Sequence, residues 1–391
     1  MKKICIVTGT RAEYGLLKPM IKKMELNEEI DLSLIVTGMH LSPEFGNTYK
    51  CIDKDFSGRI YKVEMLLSSD TDIGISKSVG LGIISYADLL EKIRPDFLLV
   101  LGDRYEILSI AIVANILKIP IIHLHGGEKT EGAYDEAFRH CISKMSYLHF
   151  TSTEEYRQRV IQLGENPDRV FNVGAIGIEN INHLDVISKE ILEKKFKIEI
   201  STNFFVVVFH PTTLEKNSAE NQIKELLGAI KKSKIDVIFI KANSDTNGRN
   251  INKILEEFVE KNPKKYKLFS SLTSEEYLSI LKHSQGLIGN SSSGILETPS
   301  LKIGSLNIGD RQKGRIIADS TICCNSNENE IVNGIEKLKS LEFKKIIRKS
   351  KSPYGNGEVS DKIIEKILKI EKVDLKKEFY DLFLERNKHE G

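Results

Sequence analysis

The chain has 391 residues, 40% of them hydrophobic and 29% charged. That balance excludes a disordered polar chain, and the length suits two domains that each bury a core. A net charge of +2 leaves no electrostatic footprint for nucleic acid or a membrane surface. No apolar run approaches the ~18–20 residues of a membrane span, and Met1-Lys2-Lys3 leads into a strand rather than a signal peptide. The five cysteines, Cys5, Cys51, Cys141, Cys323 and Cys324, show neither metal spacing nor even pairing. They predict a protein of the reducing cytoplasm without a metal site.

Short apolar β-rich runs alternate with helical patterns along the whole chain, the signature of βαβ units. A first series of strands is predicted near Cys5–Thr8, Leu32–Thr37, Phe97–Leu101, Ile121–His125, Leu148–Thr151 and Val170–Val173. Most are apolar on both faces, as in a parallel sheet covered by helices. A polar helical stretch from Ile181 to Glu199 separates them from a second series. That series begins at Phe204–Phe209 and continues at Val237–Ile240, Lys267–Phe269, Gly286–Ile288 and Gly304–Asn307. Cys323-Cys324 read as two further strand residues. The fold class is α/β: two Rossmann-like, doubly wound domains with a ligand cleft at the strand C-termini. The expected boundaries are 1–178 for the first domain, 179–360 for the second, and 361–391 for a C-terminal helix packing back on the first.

Residues just beyond the strands carry the chemistry in such folds. After the first strand comes Gly9-Thr10-Arg11, with Arg11 where a helix begins and able to clamp a pyrophosphate. Leu101-Gly102-Asp103-Arg104 puts Asp103 beside a cation that would hold it ionised. In His123-Leu124-His125-Gly126-Gly127-Glu128, strand alternation points both histidines one way, into the cleft. Asp135 and Arg139 have the i,i+4 spacing of a helical ion pair. His210 tips the first strand of the second series. Asn290-Ser291-Ser292-Ser293-Gly294 then forms a polar loop between a strand and a helix opening at Ile295-Leu296-Glu297. A Ser/Gly cluster alone would be a turn and cap. Glu297 can reach a ribose diol, however, and Arg311 and Arg315 can neutralise phosphate, so together they describe a nucleotide diphosphate site. Ile295 and Leu296 occupy the Lys and Ser/Thr positions of a P-loop, which excludes that motif. The absence of G-x-G-x-x-G after a strand argues against a dinucleotide cofactor.

The motifs GTRAEYG (9–15), VTGMH (36–40), LGDRYE (101–106), HGGE (125–128), GNSSSG (289–294) and NIGDRQKGR (307–315) resemble the UDP-N-acetylglucosamine 2-epimerases. The similarity spans nearly the whole chain and is greatest to the hydrolysing branch of sialic and legionaminic acid pathways. It implies a GT-B-like fold, a UDP-sugar substrate, a homodimer and no cofactor. It also implies anti-elimination of UDP to a 2-acetamidoglucal, followed by hydration to the free 2-epimer. By the same resemblance Arg11, Arg104, Arg139, His210, Asn243, Ser291, Ser292, Glu297 and Arg311 hold the substrate, and Asp103 and Asp135 act as acid and base. Many relatives read H-x-E-G-G-E where this chain has His125, so either His125 or Glu128 takes over that carboxylate's work. The expected substrate is UDP-N-acetylglucosamine, with UDP-N,N'-diacetylbacillosamine the alternative. A GT-B glycosyltransferase and a UDP-sugar sensor are the competing readings, the first disfavoured by the motif set and the second by the acids Asp103, Glu128 and Asp135 on the sugar side.

Overall fold

Apolar runs with no polar face become central parallel strands here, because helices cover both sides of each sheet. In β1 (Lys2–Thr8), Ile4 and Ile6 enter the core beneath Leu17 and Met20, whereas Cys5 and Val7 face Tyr86 and Ile110. β8 (Phe204–Val208) divides the same way, with Phe205 and Val207 on one face and Phe204, Val206 and Val208 on the other. The computed structural model describes residues 1–67, 69, 71–131, 133–211, 219–242, 248–270 and 272–382.

Each of the two sheets is parallel throughout. The first comprises β2 (Ile30–Thr37), β3 (Arg59–Val63), β4 (Phe97–Leu101), β5 (Ile121–Leu124), β6 (Leu148–Thr151) and β7 (Val170–Asn172) with β1, in the order β3-β2-β1-β4-β5-β6-β7. The second adds β9 (Asp236–Ile240), β10 (Tyr266–Phe269), β11 (Leu287–Gly289), β12 (Ser305–Ile308) and β13 (Thr321–Cys324) to β8, in the order β10-β9-β8-β11-β12-β13. Strand order reverses at β1/β4 and at β8/β11, and the crevice outside such a switch point is where open α/β sheets bind ligands. Cys323 and Cys324 lie in β13, as their neighbours predict. The edge strand β3 is absent from the predicted series. Arg59 and Lys62, one on each face, are exposed, so no apolar run marks it.

Two further expectations are corrected. The helix Asp72–Ile93 has 22 residues and is apolar enough by length and composition to cross a membrane, the one such helix among the described residues. Here it is a layer of the first domain, burying Ile75, Ser78, Tyr86 and Leu90. The C-terminal helical periodicity is also cut short. The helix Val359–Leu368 packs Ile363 and Ile367 into the first core, but 371–381 contains neither helix nor strand. That segment is held as an extended strap: Lys377 donates to the Lys144 and Ser146 carbonyls at 2.9 and 2.7 Å, and Tyr380 N–H to Gly164 O at 3.0 Å. Capturing backbone carbonyls this way needs an extended chain rather than a helical face.

Candidate active site

The second domain supplies an anion loop at the end of β11. Gly289 sits at φ +138°, where a Cβ would lie 2.0 Å from Val208 O, so only glycine permits this approach of β11 to β8. Asn290, fully buried, then clamps the two strand ends: its Oδ1 accepts from His210 N–H at 2.7 Å and its Nδ2 donates to His210 O at 2.8 Å. Its carbonyl accepts from Arg311 Nη1 at 3.2 Å and Gln312 Nε2 at 2.9 Å. His210, the serine loop and Arg311 are thus tied to one backbone unit.

The expected helix at Ile295 is instead two single turns, Ser293–Leu296 and Thr298–Leu301, with Glu297 at the joint and Pro299 starting the second. Four-residue turns sum little macrodipole, so anion affinity falls to hydroxyls and arginines. A cavity of about 550 Å³ opens here, walled by Ser291, Ser292, Glu297, Arg311 and His210 on one side and Arg11 on the other. Burial pushes the Glu297 carboxyl up, and its Oε2 has no hydrogen-bond partner among the described residues, so an acceptor stands open for a ligand hydroxyl. Opposite, Thr10 caps the helix Arg11–Glu25 through Glu13 N–H at 3.2 Å. Glu13 accepts from Gly9 N–H at 2.7 Å, and burial lifts its carboxyl to about 8, with Glu106 nearby adding to the rise.

The acid cluster lies at the ends of β4 and β5. Buried Arg139 pairs with Asp103 and Glu136 and donates to Glu128 O at 2.7 Å and Thr130 Oγ1 at 2.6 Å. A buried guanidinium must be paired in this way, and both carboxylates are partly exposed. On its own helix Arg139 pairs with Glu136 at i,i−3, 2.6 Å away. Burial alone would raise the Glu136 carboxyl, but the His140 hydrogen bond, Arg139 and the Thr130 N–H bring it down to about 2. Asp135 opens the helix Asp135–Met145 and is partly exposed. Arg104, N-terminal to the helix Tyr105–Ile116, donates to the buried Glu106 at 3.2 and 3.3 Å.

The two histidines do not share a face. β5 ends at Leu124, and His125 has φ +64°, which turns its ring out of strand alternation. His123 is a core histidine: Nε2–H donates to Gly102 O at 2.8 Å, Ser143 lies 3.1 Å from Nδ1, and burial lowers it to about 3. His125 Nε2 instead accepts from Ile176 N–H at 3.2 Å, which places its proton on Nδ1, 3.2 Å from Glu128 Oε1. Glu128 also accepts from Ser152 at 3.0 Å and from Arg315 of the second domain at 2.8 Å. Arg315 and His125 hold its carboxyl far below the carboxylate range, although burial works the other way.

The structure therefore gathers Arg11, His210, Ser291, Ser292, Glu297 and Arg311 around one cavity. Asp103, Arg104, His125, Glu128, Asp135 and Arg139 lie outside its lining, drawn into contacts of their own. Asn243 falls outside the described residues. Among the described residues, no three metal-binding side chains converge. The Asn290 clamp, Glu136 and the Glu128–Arg315 link escape the sequence reading. Single polar residues carry them; the partners of Asn290 and Glu128 are distant in the chain, and nothing in the local pattern sets Glu136 apart from Asp135 as the partner of Arg139.

Two parallel α/β domains joined at a cleft, with a serine–arginine anion loop on one wall, define a nucleotide-sugar enzyme of GT-B-like architecture. Its structural relatives include the UDP-N-acetylglucosamine 2-epimerase of Methanocaldococcus jannaschii in complex with UDP-GlcNAc and UDP, with TM-score 0.77, 21% identity and coverage of 94% of this chain and 99% of that one. The sequence model of the UDP-N-acetylglucosamine 2-epimerase family matches residues 22–368. The chain is similar to the GDP/UDP-N,N'-diacetylbacillosamine 2-epimerase (hydrolyzing) of Campylobacter jejuni, 44% identical over 97% of this chain and 99% of that protein. It is likewise similar to the polysialic acid biosynthesis protein P7 of Escherichia coli, 44% identical over 98% of each. Identity to the UDP-N,N'-diacetylbacillosamine 2-epimerase (hydrolyzing) of Legionella pneumophila is 34%, over 93% and 94%. The chain belongs to the UDP-N-acetylglucosamine 2-epimerase family and is a UDP-sugar 2-epimerase.

Proposed function

We propose that the enzyme hydrolyses and epimerises UDP-N,N'-diacetylbacillosamine, releasing UDP and 2,4-diacetamido-2,4,6-trideoxymannose for legionaminic acid synthesis. The full-length 44% identity to a Campylobacter jejuni protein named for this sugar carries the assignment, which replaces UDP-N-acetylglucosamine as the first choice. UDP-N-acetylglucosamine, giving N-acetylmannosamine for sialic acid, is the second reading. It is favoured by equal identity to an Escherichia coli protein of polysialic acid biosynthesis. The two hexoses differ by one acetamide and one hydroxyl, so a few polar contacts decide between them.

In the reaction a base takes the C2 proton, the C1–O bond breaks, and UDP leaves with the electron pair, forming a C1=C2 glucal. Water adds at C1 while C2 is protonated from the opposite face. Elimination and hydration leave the oxidation level unchanged, so the route is written without a nicotinamide. Arg11, Arg311, His210, Ser291 and Ser292 are assigned to the diphosphate, with Arg315 beside them, and Glu297 to the ribose. Arg104, Arg139 and Asn243 are assigned to the UDP-sugar on the resemblance, and Asp103 and Asp135 to acid–base work. The working unit is a homodimer that uses the outward face of the helix Asp72–Ile93.

NMR of the enzyme incubated separately with the two UDP-sugars tests the reading. Free 2,4-diacetamido sugar with the manno configuration, released without acceptor or NAD, is expected. Turnover of UDP-N-acetylglucosamine alone would select the second reading, and accumulation of a UDP-linked epimer would place the chain in the non-hydrolysing branch.

A further inference from the structure

The carboxylate left open by His125 has two candidate replacements, and the geometry decides against both as proton carriers. A base must offer a lone pair to C2. Glu128 is 2% exposed and has both oxygens committed, Oε1 to Ser152 and His125 and Oε2 to Arg315. His125 has its one neutral lone pair on Nε2, where the Ile176 N–H uses it. Protonating that nitrogen would release the start of the helix Ile176–Asn182, whose Gly177 lies against Glu297.

These contacts also cross between the domains. Arg315, half-buried as a residue, reaches Glu128 through Nη2 and leaves its buried Nε and Nη1 without partners among the described residues. Its neighbours repeat the crossing. Glu131 N–H donates to Lys313 O at 3.2 Å and Ile316 N–H to Tyr156 Oη at 3.0 Å, and Tyr156 Oη lies 3.3 Å from Tyr354 Oη. The same loop begins with Arg311 and Gln312, which bond the anion loop at Asn290 O. One short segment thus joins the phosphate side to the acid cluster, and its charged anchor is Glu128.

We propose that Glu128 is a positioning residue: with His125 and Ser152 it forms a strut that holds Arg315 and the 311–316 loop across the cleft, and it takes no proton from substrate. The proposal rests on the epimerase reading of the cleft. Proton transfer at C2 then falls to groups other than His125 and Glu128.

The test compares wild type, Glu128→Gln, Arg315→Gln and the double variant, by calorimetry with UDP and by steady-state kinetics with the turned-over UDP-sugar. In Glu128→Gln the amide would set a donor against the guanidinium or leave it unpaired. Each single variant should weaken UDP roughly 10–100-fold, the scale of a lost charge-assisted bond. KM should rise with it and kcat should fall less. The double variant should bind UDP no more weakly than the weaker single, since both remove one link. Glu128→Gln should also keep the acidic limb of the pH–kcat profile. A kcat loss of ~100-fold or more with UDP affinity and KM unchanged, or disappearance of that limb, would make Glu128 a base and overturn the proposal. Multiplying losses in the double variant would overturn it as well. Thermal unfolding checks each fold, and Arg315→Lys probes the other end of the strut if Glu128→Gln does not fold. If wild type turns over no UDP-sugar the epimerase reading fails, while the UDP-affinity cycle still decides the strut.

Discussion

At the scale of single residues, the proposed roles divide by position, with UDP assigned to groups lining the cavity and proton transfer to acids outside that lining. Glu297 and Arg311 line the cavity and are assigned to UDP, so their truncation to alanine should act on UDP affinity. Losing one charge-assisted bond costs roughly 1.5–3 kcal/mol, or about one to two decades. Calorimetry with UDP measures this, and unchanged affinity in both variants would misplace the nucleotide. Asp103 and Asp135 should behave in the opposite way. Asp103→Asn and Asp135→Asn are each expected to lower turnover at least ~100-fold while UDP binding changes little. Reaction in heavy water should leave one deuterium at C2 of the product. Product without it, together with failure to hydrate added glucal, would rule out elimination. The sequence placed most of these residues just beyond strands because a parallel sheet sends its loops to one edge. It could not show hydrogen-bond commitments: His125 reads as a cleft residue by alternation, yet its positive φ and the Ile176 N–H set its ring elsewhere.

At the scale of elements, central strands were legible because both faces are apolar, as in β1, β4 and β8. The edge strand β3 and the strap 371–381 were not. One is half solvated, and the other is held by carbonyls that no periodicity encodes. The contacts of Thr130 and of the helix Asp135–Met145 around Arg139 are likewise organised by charge, and this gives them a pH dependence with a definite sign. Glu136 has its carboxyl brought from an ordinary 4.5 down to about 2. A depressed acid contributes stability above its unfolded pKa, and that contribution is lost as pH falls through the folded value. Thermal unfolding midpoints should therefore decline between about pH 4.5 and 2, and Glu136→Gln should flatten the decline while starting from a lower midpoint at neutral pH. A variant whose midpoint tracks wild type across this range would show that these contacts are not held by that charge.

At the scale of the molecule, the helix Asp72–Ile93 leaves the apolar side chains Ile73, Leu81 and Ile84 exposed. Its outer stripe runs Ile73, Lys77, Gly80, Leu81, Ile84 and Asp88, successive positions near one helical face. Ile73 and Ile84 are 69% and 67% exposed, and a Cβ on Gly80 would meet open space. A membrane has no claim on this stripe: Lys77 and Asp88 lie on it, and the opposite face is built into the first domain. Two copies related by a two-fold axis fit it better, because an isologous contact places residue i against j and j against i. An antiparallel pairing centred between Gly82 and Ile83 sets Leu81 against Ile84 and Lys77 against Asp88 at both ends. Sedimentation should find wild type dimeric at micromolar concentration and Leu81→Glu/Ile84→Lys monomeric with its helical circular dichroism intact. Lys77→Glu should weaken the dimer by setting two acids face to face, and adding Asp88→Lys should restore it. A dimer indifferent to the apolar substitutions would move the interface elsewhere. One sensitive to them but not rescued by the charge exchange would keep the face and reject the antiparallel register.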